Sequence, residues 1–445
     1  MKKGRYLLLL VVLFVGLTGC KEEKPEEGTI TERPVTNDTK FVSEDYEPGN
    51  RSYYMPRAMM RTENGFYHYN YAEGSLYYYD TVSGKEMYLC NKPECRHDGN
   101  PFCVATNDKY QMLGCCLYDN SILAYVLEET QLQYLLKVFS IALDGSTMDE
   151  IGTVFTLEKA GQKLDFFSSE VHAHRNKVMI TMAGCQPGLT DTLRYGTAIL
   201  DLDTGGVTFL DEEPLSNENI KVTDITAYGD YFYYCKKEGK KTILHRYHIT
   251  AGTVETCKLL TGFRGSYAVL NEDTVVYLKS GGTTLCTYQY STGENEEKIR
   301  LQRIHNEYEF GTVVGGHMSD YTAQDILTDG TYLYIPESTT RFDFINENGE
   351  AGSFIESYLH VFNQQLEEIT SVNMAEILPE PEEEGGAWHV EVYTRGLRYL
   401  GEDIYWCLVS DSNPDLESYV FHCKRSDFLT GEPKFTFVYK YTEGR

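Results

Sequence analysis

Three cysteines and one histidine fall within fifteen positions of this sequence, in the stretch LCNKPECRHDGNPFC that spans residues 89–103. Thiolate sulfur and imidazole nitrogen are the donors that zinc takes in tetrahedral sites, so Cys90, Cys95, His97 and Cys103 form a candidate four-ligand set. Their spacing, Cys-x4-Cys-x-His-x5-Cys, lacks the short Cys-x2-Cys chelate with which structural zinc knuckles usually begin. Disulfide bonding is the competing chemistry, because thiols seldom stay reduced outside the cytoplasm. Cys115 and Cys116 follow closely, and adjacent strand residues point to opposite faces, so one of the two is available to bridge back to the loop. A disulfide-stapled loop is therefore the expectation here, and zinc is the alternative. No base is paired with any of these thiols in the sequence, so a catalytic cysteine is not indicated.

The histidines offer a second candidate group. His172 and His174 stand at i and i+2 in Val171-His172-Ala173-His174 and so share one face of a strand. On an innermost strand they could face a central channel; hydrogen-bonded histidines on an edge are the plainer expectation. His317, in Gly315-Gly316-His317-Met318-Ser319-Asp320, sits in a glycine-rich loop that fits a ligand-contacting role and a blade-to-blade connector equally well. Asp201-Leu202-Asp203-Thr204-Gly205 opens like a calcium loop but lacks the later acidic ligands of an EF-hand, and it reads as a turn. The chain contains no G-x-S-x-G elbow, Walker A loop or H-E-x-x-H pair.

These side chains must be positioned somewhere, and the first twenty residues bear on where. Lys2, Lys3 and Arg5 precede an apolar run, Tyr6 to Val15, too short to span a bilayer and of the length of a signal-peptide core. The run ends in Leu17-Thr18-Gly19-Cys20, which resembles a bacterial lipobox. That resemblance implies removal of residues 1–19 and a diacylglycerol on Cys20, enough for stable anchoring to the outer face of the cytoplasmic membrane. Residues 20–52, rich in Glu, Pro, Thr and Asp, read as a disordered acidic tether with a reach on the order of 30 Å. Loss of the leader takes the formal charge from −27 to −30, a surface that repels phosphate backbones and excludes nucleic acid as a partner.

The remainder, residues 53–440, repeats. An Asn-Gly, Gly-Asp or Asp-Gly turn leads into a Tyr-rich strand, a second strand follows, and a Thr/Ser-Gly turn leads into a third. NGFYHY, DNSILAYV, RNKVMITM, YGDYFYYC, NEDTVVYL, DGTYLYI and GEDIYWCLV are the seven copies of the first strand. Glycine closes every copy except the sixth, where Asn363-Gln364 stands instead. One more short apolar segment precedes each copy, giving four strands per unit and no long amphipathic helix. Such a pattern describes an all-β propeller of seven four-stranded blades, with six or eight as the alternatives. Residues 40–45 are a candidate edge strand for the last blade.

The G-x-x-(Tyr/Ile)-(Tyr/Trp) strand and the following L-x-x-φ-x-x-x-x-G strand resemble uncharacterised propeller lipoproteins of Gram-positive gut bacteria, whose repeat is similar to YWTD-type propellers. Leu89-Cys90-Asn91-Lys92-Pro93-Glu94-Cys95-Arg96-His97-Asp98 looks like a signature found after the first blade of such proteins. The resemblance implies fold and location and no activity. The reading that follows is a membrane-anchored, extracytoplasmic binding or scaffold module for a glycan, peptide or protein, without a cofactor unless zinc occupies the cysteine loop. A hydrolase or lyase with acidic and histidine residues at the channel mouth, and a metal-binding surface protein, are the alternatives.

Overall fold

The computed structural model describes residues 51–52, 59–70, 73–100, 102–159, 165–168, 170–186, 189–210, 220–238, 241–259, 262–263, 265–279, 282–301, 312–316, 325–337, 340–345, 348–378, 397–400, 402–409 and 417–442. Cys20, His317 and residues 40–45 lie outside them. All the described residues belong to the unit Pro34–Arg445.

Tyr-rich runs with turn residues at fixed intervals can satisfy their backbone groups only by pairing with their neighbours in sequence, and they do so seven times over. Each blade is a four-stranded antiparallel sheet whose strands follow chain order from the inner edge to the outer. Blade 1 is Met59–Arg61, Gly65–Asn70, Ser75–Asp80 and Lys85–Tyr88. Blade 2 is Tyr110–Tyr118, Ser121–Glu129, Gln133–Ala142 and Met148–Glu158. Blade 3 is Val171–His174, Lys177–Gln186, Leu189–Asp201 and Val207–Phe209. Blade 4 is Ile220–Tyr228, Tyr231–Glu238, Lys241–His248 and Val254–Thr256. Blade 5 is Tyr267–Asn271, Thr274–Leu278, Thr284–Gln289 and Asn295–Arg300. Blade 6 is Leu327–Thr328, Tyr332–Pro336, Tyr358–Asn363 and Glu368–Asn373. Blade 7 is Leu397–Leu400, Asp403–Val409, Glu417–Lys424 and Thr436–Thr442. Together they form the ring of a seven-bladed β-propeller.

Three additions depart from the repeat. Arg51–Ser52 pairs antiparallel with the inner strand of blade 3, Arg51 opposite His172 and Ser52 opposite Val171. Asp165–Ser168 pairs with the far end of the second strand of blade 3. In blade 6 the central hairpin is prolonged by Thr340–Ile345 and Ala351–Glu356, and Thr312–Gly316 pairs with the first of these to make a three-stranded sheet.

Strand parity sorts the connections onto two rims. In an antiparallel blade the chain crosses the ring's thickness four times, so turns one-to-two and three-to-four share one rim, and turn two-to-three shares the other with the links between blades. The first rim is made of tight turns. Gly84, Gly145, Gly205, Gly252, Gly293 and Gly431 close the third-to-outer turns with φ between 67° and 83°. At the sixth, Leu366 takes the left-handed conformation that the missing glycine would have taken, with φ 62°, and buries its side chain between blades 5 and 6. Asp201 is the expected turn residue, its Oδ1 accepting the Thr204 amide at 2.9 Å. The second rim carries the cysteine loop and the blade 6 extension.

Each of the seven interfaces between consecutive blades has its own apolar cluster. They differ in size. Sixteen buried residues fill the cluster between blades 1 and 2, while at the seam where blade 7 meets blade 1 Tyr405, Cys407 and Val420 of blade 7 are joined by the buried rings of Phe66 and Tyr79. No strand crosses that seam among the described residues. Polar contacts supplement it: the Tyr79 hydroxyl donates to the Val438 carbonyl at 2.9 Å, and Arg61 lies 3.7 Å from Asp403.

Two substitutions test this packing. Tyr125 is fully buried between blades 2 and 3, and its hydroxyl has no hydrogen-bond partner among the described residues. Tyr125→Phe removes an unpaired buried donor and is expected to stabilise the protein by about 1 kcal/mol, read as a raised Tm. Asp403 accepts from His422 Nε2 at 2.9 Å and from Lys424 Nζ at 2.5 Å. With Arg61 nearby, these partners hold its carboxyl well below the usual carboxylate range. A depressed folded-state value contributes stability that is present above the unfolded value and lost as pH falls through the folded one. Asp403→Asn should therefore cost roughly 1–3 kcal/mol at neutral pH and flatten the acid limb of the Tm-against-pH curve.

Candidate metal centre

The cysteine loop leaves the outer strand of blade 1 at Tyr88 and returns to the inner strand of blade 2 at Tyr110. Its start and finish are pinned by backbone pairing to the third strand of blade 1. The Leu89 amide donates to the Leu76 carbonyl and the Leu76 amide to the Ala105 carbonyl, each at 2.9 Å. Between these anchors two tight turns fold the donors inward. Pro93 lies inside the turn closed by Cys95 N–H to Lys92 O at 3.1 Å, and Asn100 opens the turn closed by Cys103 N–H to Asn100 O at 2.8 Å. His97 takes a left-handed conformation, φ 54°, which turns its ring back over the cysteines. At Gly99 the backbone takes φ 85°, a conformation that favours glycine, and a Cβ there would also force the Asp108 carboxylate aside.

One ligand atom from each of Cys90, Cys95, His97 and Cys103 lies within 4.8 Å of the other three. His97 Nδ1 is 3.4 Å from Cys103 Sγ. Two ligands of a tetrahedral zinc ion, one sulfur and one nitrogen, stand about 3.6 Å apart given the usual metal–ligand bond lengths. Cys90 and Cys103 are buried, and Cys95 and His97 are half-buried.

The electrostatics of the group suit a metal. Burial and the neighbouring Cys103 thiol push Cys95 up to about 11. Cys103 runs the other way: burial opposes its ionisation, but the Thr106 hydroxyl and the Thr106 amide, 3.3 Å from Sγ, outweigh it and lower the thiol. Cys103 is thus the first thiolate of the pair, and Cys95 keeps its proton until a cation displaces it. Burial lowers His97, favouring the neutral imidazole that coordinates. Four protein donors of these types could hold a metal ion, and a set of three sulfurs and one nitrogen is the kind found in structural zinc sites. Either two of the cysteines oxidised to a disulfide or a bound cation would satisfy these thiols, and only the cation would use all four donors.

The structure divides the other sequence candidates. Cys115 packs in the cluster between blades 1 and 2 and Cys116 in that between blades 2 and 3, so neither joins the loop. The ten described cysteines are free thiols, and the staple expected between the loop and this strand is not formed. His172 and His174 do lie on the innermost strand of blade 3, yet both are buried against blade 4. His174 Nε2 is 2.7 Å from the Gly229 carbonyl, and both rings meet Phe232 edge-on. A blade's two faces look at its neighbours, and the channel sees only strand edges, so the expected channel position is corrected to an interface one.

Sequence reasoning missed Tyr88 and Thr106. The Tyr88 ring stacks on His97 with centroids 4.5 Å apart, and Thr106 caps Cys103. Tyr88 was legible only as the last alternating residue of its strand.

No family model and no curated protein sequence matches the chain. Among solved structures it is similar to a prolyl endopeptidase, with a TM-score of 0.49 and 12% identity over 91% of this chain and 51% of that one. A puromycin-hydrolysing peptidase of Mycobacterium tuberculosis gives 0.44 and 12%, over 90% and 56%. An uncharacterised protein of Listeria monocytogenes gives 0.38 and 7%, over 76% and 85%. The chain spans about half the length of the two peptidases. These are likenesses of fold.

Proposed function

We propose that this protein is a lipid-anchored propeller on the outer face of the cytoplasmic membrane, one that binds a glycan, peptide or protein partner as a scaffold. In this reading, zinc at Cys90, Cys95, His97 and Cys103 holds the elaborated rim in shape. The convergence of the four donor atoms to within 4.8 Å carries the zinc part. The leader ending in Cys20 supports the anchoring, and the concentration of elaborated connections on one rim supports binding there.

The alternative of a hydrolase or lyase needs carboxylates and histidines from several blades in one pocket. The described acid–histidine contacts, Glu86 with His68, Glu337 and Glu368 with His360, and Asp403 with His422, each stay within one blade and do not favour it.

Elemental analysis of the full chain in detergent, beside non-reduced peptide mapping, tests the zinc reading. One zinc per chain with unlinked Cys90, Cys95 and Cys103 supports it. A disulfide among those three with no metal refutes it. A diacylglyceryl mass on the Cys20 peptide, and release of Cys20→Ser from membranes, test the anchoring. A screen of glycans, peptides and envelope proteins that yields no partner overturns the scaffold role.

A further inference from the structure

We infer that the Cys3His centre is the clasp of the ring: metal held there orders the seam where blade 7 closes on blade 1. This rests on the zinc reading above and adds to it a mechanical role for one ligand. The six other interfaces are each crossed by the chain passing from one blade to the next. Among the described residues no segment crosses the seam between blades 7 and 1, which is held by side chains alone: Phe66 and Tyr79 of blade 1 against Tyr405 and Tyr439 of blade 7. An interface that no chain segment spans can part without unravelling a connection, so local opening of a ring is expected there first.

A continuous stack of rings joins the metal centre to that seam. His97 stacks on Tyr88 at 4.5 Å, with 22° between the planes, and Tyr88 meets Tyr77 at 4.6 Å. Tyr77 stacks on His68 at 5.4 Å and 16°, and His68 meets Tyr439 of blade 7 at 5.5 Å. Register explains the continuity: His68 pairs with Tyr77 and Tyr77 with Tyr88 across the second, third and outer strands of blade 1, so all three share the face turned to blade 7. Glu86 locks the far end. Its carboxylate accepts from His68 Nε2 at 2.7 Å and from the Tyr439 hydroxyl, so one carboxylate holds both sides of the seam.

His97 is the only member of the stack borne on a loop rather than a strand. Its ring is half-exposed, and without a metal its Nδ1 meets the Cys103 thiol at 3.4 Å, a weaker restraint than a metal bond. A metal bound to Nδ1 fixes the ring plane, Tyr88 is pressed between His97 and Tyr77, and the row beneath it keeps its register against Tyr439. Loss of the metal frees one end of the stack and lets the seam breathe.

Amide exchange on the full chain in detergent tests this, with zinc content measured on the same samples. Chelation of the zinc-loaded protein should speed exchange about tenfold in peptides from Met59–Arg61 and Thr436–Thr442. Peptides from Tyr267–Asn271, the inner strand of blade 5, should not change. Tyr88→Leu leaves all four ligands in place, so it should keep one zinc per chain, exchange fast at the seam and no longer respond to chelation. Tyr88→Phe keeps the ring and should behave as the wild type. Seam exchange indifferent to removal of a bound zinc, or a Tyr88→Leu protein whose seam still responds to zinc, overturns the clasp while leaving the zinc site standing. A chain that takes up no zinc overturns the site itself.

Discussion

Replacing Cys103 with serine is expected to weaken zinc binding at the proposed Cys3His centre and loosen the loop that carries it. Structural zinc sites in small folds bind with roughly 12 kcal/mol, so one of four ligands is worth about 3 kcal/mol, or roughly a hundredfold in affinity. Cys103 should sit at the upper end, because the Thr106 hydroxyl and amide already stabilise its thiolate. The readout is direct. Arg96 is exposed within the loop, whereas Lys92 is shielded from trypsin by Pro93. Cleavage after Arg96 should be slow in the zinc-loaded wild type and fast in Cys103→Ser or after chelation. Acidity should mimic the substitution. Cys95, pushed up to about 11, carries a proton that zinc must displace, so affinity falls as pH falls and zinc addition releases protons. Equal trypsin sensitivity with and without zinc would remove the metal from any account of this loop.

Trp406→Ala should have the largest effect of any single core truncation. Trp406 is fully buried in the cluster between blades 6 and 7, edge-on to Phe435 at 6.5 Å, with Tyr334, Leu359 and Phe421 in the same cluster. Truncating a buried aromatic of this size leaves a cavity that a pleated sheet closes poorly, at a cost of about 3–5 kcal/mol. Its indole Nε1 is buried without a hydrogen-bond partner among the described residues. Trp406→Phe therefore removes an unsatisfied donor along with volume and should cost distinctly less, about 1–2 kcal/mol. Denaturant midpoints of the two variants, followed by circular dichroism, decide the matter. Equal losses would mean that the indole nitrogen is paired.

The propeller was legible because each blade repeats the same local bargain of alternation and turn. Gly-Asp and Asn-Gly pairs marked the first turns, Thr/Ser-Gly the last, and the short segments before them, Tyr110–Tyr118 and Val171–His174 among them, are the inner strands. What lacked such a pattern was not legible. Arg51–Ser52 is two polar residues at the end of an acidic stretch, and only an unpaired inner edge makes it a strand. The blade 6 extension continues the alternation of its parent hairpin, so nothing in the pattern marks where the blade stops. For the site, residue type gave the candidates and the fold made the choice. Cys115 and Cys116 were near in sequence but are fixed in two different interfaces, while His97 depends on a left-handed backbone that no periodicity announces. His172 and His174 lie on the strand and shared face expected of them, and His174 is hydrogen-bonded as the plainer expectation had it; the channel alternative fails because period-2 reasoning says which residues face together and not what they face.

The prolonged hairpin of blade 6 shows what the even number of crossings permits. Because the chain leaves and re-enters the sheet on the same side, Thr340–Ile345 and Ala351–Glu356 could be added without shifting the pairing of Tyr332–Pro336 with Tyr358–Asn363. The blade's hydrogen-bonding frame is insensitive to the length of whatever is spliced in there. A lineage of such proteins can thus change what it displays by insertion at these positions, one blade at a time, while the barrel of inner strands stays constant.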